Sequence, residues 1–219
     1  MPAVNWAELV SAVRQGAVAS FPTDTVPALA AAPIAATQIY TLKQRQPDKP
    51  LILMAGEIDQ LWDYLVGSPA EQAIWRSLMA QYWPGALTLV LPASDRVPLA
   101  MNPLQPGSVG VRVPDHPLAR EILRQTGPMA TTSANLTGEP ALLEMAAIGE
   151  AFPTVVQLNT QALAAFDLPN PIRIASGTPS TVVKWQPANP SQSSHPSQSG
   201  QWQILRQGAV ILPGSIHQP

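Results

Sequence analysis

An α/β fold with a mixed sheet is the architecture that this sequence predicts, and three observations carry the prediction. Short apolar segments, several of them ending at a proline, alternate with segments that carry helix-capping residues. Proline accounts for 25 of the 219 residues, about twice its usual share, and this excludes a mainly helical bundle. Hydrophobic residues form 46% of the chain, enough to bury a sizeable core. We therefore expect a single domain over residues 1–219.

The helices are predicted from their capping residues. Asn5 and Glu8 form a capping box before a first helix, which should stop at Gly16. Ser68, followed by proline, begins a helix that should run to about Tyr82. Further helices are predicted at residues 35–45, 118–125 and 142–151.

The strands are predicted from the short apolar runs between these helices. The runs lie at residues 17–21, 51–54, 87–91, 109–113, 129–132, 155–158 and 181–185. Residues 186–201 are rich in Ser, Gln and Pro and are predicted to form a flexible surface insertion. The apolar pattern returns at residues 202–206 and 209–212, so the chain should rejoin the same domain.

Composition excludes several classes of function. The net charge of −2 argues against a protein that coats nucleic acid. Cysteine is absent, which excludes disulfides, zinc–thiolate sites, iron–sulfur clusters and a thiol nucleophile. The sequence lacks the phosphate-loop, dinucleotide and nucleophile-elbow motifs, and its histidines (His116, His195 and His217) are scattered. With no signal peptide and no apolar stretch of membrane-spanning length, we expect a cytoplasmic protein.

Three of the chain's few cations lie within seven residues. Lys43, Arg45 and Lys49 follow a predicted helix, and Lys and Arg both suit phosphate oxygens. The segment is interpreted either as a clamp for a polyanion or as a solvated helix end whose cations offset the helix dipole. With Lys43 facing solvent, its replacement by alanine should weaken use of the polyanionic ligand and leave the fold intact.

Two polar segments follow predicted strands. Residues 131–135 combine hydroxyl and amide side chains with small residues that let a ligand approach the backbone, or they form an ordinary turn. Thr23, Asp24 and Thr25 present two hydroxyls and a carboxylate where a strand ends, or they form an Asx-type turn.

Two arginines lie in apolar segments. Arg112 lies in a valine-rich strand, and Arg206 follows Ile204 and Leu205. A charge in such a position is costly unless a carboxylate or an anionic ligand pairs with it. Together with the 43–49 cluster, the two arginines favour a site for a ligand that carries several negative charges.

Seven short motifs, taken in order, resemble those of the YrdC-like family of threonylcarbamoyl-AMP synthases, and of its short, single-domain bacterial type. The resemblance spans about residues 5–212. The motifs are Pro-Thr-Asp-Thr at 22–25, Lys-x-Arg at 43–45 with Pro-Leu at 50–51, Pro-Gly-x-x-Thr at 84–88, Val-x-Val-Arg-x-Pro at 109–114, Ser-Ala-Asn-x-Thr-Gly at 133–138, Ser-Thr-Val-Val at 180–183 and Arg-x-Gly at 206–208.

This resemblance implies a twisted mixed sheet flanked by helices, with a concave, positively charged groove. It implies an enzyme that combines L-threonine, bicarbonate and ATP into threonylcarbamoyl-AMP and pyrophosphate, for the tRNA-modification machinery. Mg²⁺ would accompany ATP through phosphates and water, with no protein metal site and no covalent nucleophile. The family's ATP-binding positions correspond here to Lys43, Arg45, Ser108, Ser133, Asn135 and Arg206. Its threonine-binding positions correspond to Thr25, Arg112, Thr131 and Ser180, with Arg112 pairing the carboxylate.

One segment departs from the family pattern. Residues 27–30 read Pro-Ala-Leu-Ala where the family has Tyr-Gly-Leu-Gly, so both glycines are replaced. Two alternatives therefore stay open: a non-catalytic RNA-binding or regulatory member of the family, and a relative that adenylates another carbamoyl group or amine.

Overall fold

The computed structural model describes residues 3–46, 49–104, 107–165, 175–187 and 200–213. The strands within these residues are β1 Ala3–Val4, β2 Ala19–Phe21, β3 Ala28–Ala31, β4 Ile52–Met54, β5 Leu87–Pro92, β6 Ser108–Arg112, β7 Met129–Ser133, β8 Gln157–Leu158, β9 Thr181–Gln186 and β10 Gln201–Arg206. The α-helices are α1 Trp6–Arg14, α2 Ala36–Lys43, α3 Pro69–Tyr82, α4 Pro117–Thr126, α5 Met145–Ala151 and α6 Thr160–Ala165. Short 3₁₀ helices lie at Pro33–Ala35, Ile58–Tyr64 and Leu99–Met101.

Eight of these strands form one mixed sheet in the order β10-β9-β5-β6-β4-β7-β3-β2. The pairs β4–β6 and β5–β9 are parallel, and the other neighbouring pairs are antiparallel. Strands β1 and β8 form a separate parallel pair. The predicted α/β class with a mixed sheet is confirmed.

One face of the large sheet carries the main hydrophobic core. Alternate residues of β5, such as Leu87 and Leu89, point into this core, together with Val111 of β6. Trp75 of α3 is fully buried there and meets Trp185 of β9 edge to face, with 6.2 Å between ring centroids. Because successive side chains of a strand point to opposite faces, the residues between these buried ones lie on the other face of the sheet.

The opposite face is covered at one end. Helices α1 and α4 pack a second cluster of apolar side chains, including Leu9 and Ile122, onto β2, β3 and the ends of β4 and β7. The remainder of this face, formed by β6, β5, β9 and β10 with parts of β4 and β7, lines a groove. The groove lies on this part of the sheet face because α1 and α4 cover only the part formed by β2 and β3.

The capping predictions are confirmed. Asn5 and Glu8 form a capping box before α1, and Ser68 and Glu71 form one before α3. Gly16 follows α1 with a φ of +93°, a left-handed value that glycine adopts without strain. His116 caps α4 by accepting the backbone N–H of Ala119, which agrees with a structural role. His195 and His217 lie outside the described residues.

The structure differs from the sequence prediction at several elements. Strand β3 was not predicted, because a run of alanines carries little strand preference of its own; pairing with β2 and β7 holds it. The helix predicted at 142–151 begins only at Met145, since the N–H of Leu142 donates to the Ala134 carbonyl within a loop. Residues 188–199 of the predicted insertion lie outside the described residues, and its first and last residues, Gln186 and Gln201, pair with each other in neighbouring strands.

No helix in the described part of the chain is long and apolar enough to span a membrane.

Candidate active site

A groove of about 650 Å³ runs across the open part of the sheet, within the size range of small-molecule sites. Strand alternation builds its floor. Thr88 and Val90 of β5, and Gly110 of β6, face the groove, while the residues between them enter the core. The floor of the groove is therefore formed by the sheet.

Nine of the ten predicted site residues line this groove. They come from three strands (β6, β7 and β10), from the loops after β2, α2 and β7, and from the residue just before β9. The nine are Thr25, Arg45, Ser108, Arg112, Thr131, Ser133, Asn135, Ser180 and Arg206. The tenth, Lys43, is 1% exposed and lies behind the groove wall.

Cations outnumber acids among the described residues that line the groove. The cations are Arg45, Arg112, Lys184 and Arg206, and the one acidic side chain is Glu139. Such a surplus within one cavity favours a ligand that carries more than one negative charge.

Arg112 is held by three protein acceptors at the end of β6. Its Nε donates to the Gly85 carbonyl at 3.0 Å, one Nη donates to Thr25 Oγ1 at 2.9 Å, and the other donates to Asp24 Oδ1 at 2.6 Å. The side chains of Arg112 and Asp24 are only 4% and 12% exposed. Burial lowers the pKa of Arg112, and the charge of Asp24 opposes that effect. The carboxylate pairing left open by the sequence is thus present, at a residue that also faces the groove.

Arg206 also lines the groove, close enough to Arg112 for the two charges to interact. Its Nη donates to the Ser180 carbonyl at 2.8 Å and to Ser180 Oγ at 3.3 Å. Burial and then the charge of Arg112 lower the pKa of Arg206, so the two guanidinium groups repel each other. Ser180 Oγ also lies 2.9 Å from Thr88 Oγ1, which adds a second hydroxyl to this end of the groove.

Lys43 supports the opposite wall from behind. Its Nζ donates to the Ser133 carbonyl at 2.5 Å and to Asn135 Oδ1 at 3.1 Å, while Ser133 Oγ donates to the same Asn135 oxygen at 2.6 Å. Burial, and then the charge of Arg45, lower the pKa of Lys43 from 10.5 to about 7. The prediction of a solvent-facing Lys43 was therefore wrong, because α2 directs the side chain beneath the loop after β7.

The other two cations of the 43–49 cluster take different positions. Arg45 donates to the Lys49 carbonyl and the Pro50 carbonyl and, at 3.3 Å, to Thr132 Oγ1, so its guanidinium is oriented at the groove rim. Lys49 is exposed and is not among the residues that line the groove. The three cations therefore do not form one clamp.

Two further predicted residues form bonds within the protein. Thr131 Oγ1 donates to the Ile52 carbonyl at 2.9 Å, which leaves this hydroxyl oxygen as an acceptor toward the groove. Asn102 Nδ2 donates to the Ser108 carbonyl at 3.0 Å and so links the Leu99–Met101 turn to β6. Asn102 itself lines the groove and was not predicted.

Sequence reasoning also missed Lys184, Gly110 and Glu139 as groove residues. A signal for Lys184 was present. In β9 the residues Thr181, Val183 and Trp185 are buried, so the residues between them, Val182 and Lys184, must face the other side of the sheet. Glu139 and Asn102 lie in loops, where no periodicity gives such a signal.

Replacing Lys184 with glutamine should weaken the use of a polyanionic ligand. Lys184 is one of three lysines in the chain and forms no ion pair within the described residues. Loss of one partly exposed charge corresponds to about a fivefold rise in KM for that ligand. Steady-state kinetics at low and moderate salt measure this. Lys49→Gln, at an exposed lysine outside the groove, is the control, and equal effects of the two changes would contradict a role for Lys184.

Replacing Gly110 with valine should fill the groove floor without disturbing the fold. A Cβ at this position would lie 3.5 Å from side-chain atoms of Ile52 and Thr88, which is ordinary contact, and valine suits a strand. We expect unchanged thermal stability and about a hundredfold loss of turnover, because a bound substrate would be displaced. Gly107→Val is the control, since a Cβ there meets nothing within 4 Å. Full activity of Gly110→Val would place the substrate elsewhere.

No cluster of three or more metal-ligating side chains occurs among the described residues. A Mg²⁺ ion that is carried by phosphate oxygens and water needs only one or two protein carboxylates. Glu139 supplies one such group at the groove, so the residues present fit a metal of this kind.

The comparisons with known proteins agree with this geometry. The Sua5/YciO/YrdC family model, described as "Telomere recombination", matches residues 11–208. The threonylcarbamoyl-AMP synthase of Chromohalobacter salexigens is 39% identical over 174 residues, which cover 76% of this chain and 90% of that protein. The threonylcarbamoyl-AMP synthase of Bacillus subtilis is 42% identical over 142 residues, which cover 62% of this chain and 39% of that longer protein.

Solved structures share the fold. Sua5 of P. abyssi complexed with L-threonine superposes with a TM-score of 0.74 at 26% identity, covering 96% of this chain and 57% of that one. YciO of E. coli gives a TM-score of 0.73 at 20% identity, covering 98% and 96%, and at this identity the likeness concerns the fold alone. The motifs, the groove that they line and the family match over residues 11–208 lead to one conclusion: the chain belongs to the Sua5/YciO/YrdC family.

Proposed function

We propose that this chain is an L-threonylcarbamoyladenylate synthase, a nucleotidyltransferase that condenses L-threonine, bicarbonate and ATP. The product would serve the threonylcarbamoyl modification of adenosine in tRNA. One observation carries the proposal. A single groove combines an arginine–hydroxyl cluster suited to an amino acid with further cations suited to a polyphosphate. The names of the curated relatives and the threonine complex of P. abyssi Sua5 support the same reaction.

The reaction requires alignment and charge neutralisation rather than a nucleophile from the protein. The amine of threonine attacks bicarbonate, water leaves, and a carbamate forms. A carbamate oxygen then attacks the α-phosphorus of ATP, a new P–O bond forms, and the bond to the β-phosphate breaks to release pyrophosphate. Since both reactants are anions, the groove's cations lower their repulsion and preorganised donors hold them in line.

We assign the residues to the two substrates as the resemblance to the family implies. On the nucleotide side, Arg45, Ser108, Ser133, Asn135 and Arg206 would contact ATP, with Lys43 supporting Ser133 and Asn135 from behind. On the amino-acid side, Thr25, Arg112, Thr131 and Ser180 would contact threonine, with Arg112 facing its carboxylate. The guanidinium groups of Arg45 and Arg112 are oriented by protein acceptors, which supports their role as preset donors to anionic groups.

Mg²⁺ is proposed to bind with ATP, and Glu139 is the described groove residue that would hold it, through water or directly. When bound, the ion neutralises charge on the leaving pyrophosphate. A reaction that uses ATP and feeds tRNA modification also supports a cytoplasmic location.

The Pro-Ala-Leu-Ala segment is compatible with this activity. Ala28–Ala31 pairs with β7 over its whole length and Ala28–Ala30 pairs with β2, and the Pro27 carbonyl accepts the N–H of Ala134 beside the groove. The methyl of Ala28 lines the groove opposite Ser133 without interrupting the strand.

Pyrophosphate release tests the proposal. With ATP, Mg²⁺ and bicarbonate present, we expect release only when L-threonine is added, and less with L-serine. If serine or another amine supports faster release, the chain adenylates a different substrate. Salt-sensitive RNA binding with no pyrophosphate would instead identify a non-catalytic RNA-binding member of the family.

A further inference from the structure

We propose that Asp24 is a positioning residue for the amino-acid substrate: by holding Arg112, it fixes which side of the subsite donates hydrogen bonds and which side accepts them. The proposal rests on the proposed function, because it concerns how the same groove recognises threonine. Asp24 itself is not among the residues that line the groove, so it acts through Arg112 and Thr25.

The donor side follows from the hydrogen bonds of Arg112. A guanidinium group has five N–H bonds in a fixed plane. Acceptors in the described residues take three of them, one on each nitrogen, at Gly85, Thr25 and Asp24. One N–H on each terminal nitrogen is left for a ligand, and the three protein contacts prevent the plane from turning. A carboxylate is the group that such a fixed pair of donors recognises.

The acceptor side follows from a directed chain of hydroxyls. Thr23 Oγ1 donates its proton to the Val26 carbonyl at 2.7 Å, so at its 3.2 Å contact with Thr25 Oγ1 it must accept. Thr25 therefore donates to Thr23 and accepts from Arg112. Its remaining capacity is as an acceptor, which suits the amine or the hydroxyl of threonine and not its carboxylate.

The charge of Asp24 matters as much as its position. Arg112 and Arg206 repel each other, and Asp24 offsets one of these two charges. The pair is buried, and buried ion pairs contribute little net stability compared with apolar residues of the same size. The role of the Asp24 carboxylate is therefore to orient Arg112 rather than to stabilise the fold.

Steady-state kinetics of the full chain test the proposal. Asp24→Asn keeps the shape of the side chain, removes its charge and lets the guanidinium turn. We expect KM for threonine to rise about tenfold or more, while KM for ATP changes less than twofold. Asp63→Asn is the matched control, because Asp63 also pairs with an arginine, Arg96, but is 69% exposed and is not among the residues that line the groove. This control should leave both KM values unchanged.

A second variant keeps the test independent of folding. Thr23→Val leaves the ion pair intact and removes the acceptor that directs the Thr25 proton, so it should also raise KM for threonine and spare KM for ATP. Equal rises in both KM values, or an unchanged KM for threonine in a folded Asp24→Asn protein, would overturn the inference. Absence of threonine-dependent turnover in the unmodified chain would instead overturn the proposed function.

Discussion

Replacing Arg112 with methionine is expected to destabilise the protein by about 3–5 kcal/mol and to abolish threonine-dependent turnover. The change leaves Asp24, whose side chain is 12% exposed, without its ionic partner. It also removes the donor to the Gly85 carbonyl and to Thr25 Oγ1. Urea unfolding followed by fluorescence measures the stability, since the chain has six tryptophans.

The double variant Asp24→Asn/Arg112→Met separates the two effects of this change. Removal of the orphaned carboxylate should restore most of the stability, because the uncompensated buried charge is the main cost. Turnover should stay absent, since the donors to the substrate are still missing. If Arg112→Met alone unfolds at the same urea concentration as the unmodified protein, the buried pair is not formed in solution.

Replacing Lys43 with methionine is expected to lower turnover about a hundredfold, a loss of the size that a small misplacement of substrate-positioning groups can cause. The loss would act through Ser133 and Asn135, which Lys43 holds in place. Stability at pH 7 should change little, because two acceptors lose a donor while a costly buried ammonium is removed.

The pH dependence of stability distinguishes this account of Lys43 from a surface lysine. Its pKa is about 7 in the folded protein and 10.5 in the unfolded chain, so between these values the unfolded chain binds the extra proton. The free energy of unfolding of the unmodified protein, relative to Lys43→Met, should therefore rise from pH 7 to about pH 10 and level off above that. Urea unfolding at several pH values measures the difference. A difference that does not vary with pH would show that the folded protein does not lower the pKa of Lys43.

Local signals in the sequence predict much of this fold. The capping boxes at Asn5 and Ser68 identify two helix starts because each needs only residues three positions apart. Strand β3 could not be found in this way, since its alanines become a strand only through pairing with β2 and β7, which are separate along the chain. Tertiary pairing, rather than local preference, decides such elements.

In the candidate site, too, some residues could be predicted from the sequence and others depend on tertiary packing. Ordered motifs indicate Thr25, Arg112 and Ser133 by their resemblance to a family, and the sheet brings them to one groove. The burial of Lys43 and the capture of Arg112 by Asp24 depend on three-dimensional packing, which no spacing reveals. Lys184 could be predicted in part, because strand alternation assigns it to the groove face once β9 is known to be a strand.

The central claim is that one groove joins an amino acid, bicarbonate and a nucleotide. Mass spectrometry of a reaction with ATP, Mg²⁺, L-threonine and ¹³C-labelled bicarbonate tests it most directly. The account predicts a threonylcarbamoyl-AMP that carries the label and forms only when all three substrates are present. Pyrophosphate or AMP released without a labelled adenylate, or no product at all, would contradict it.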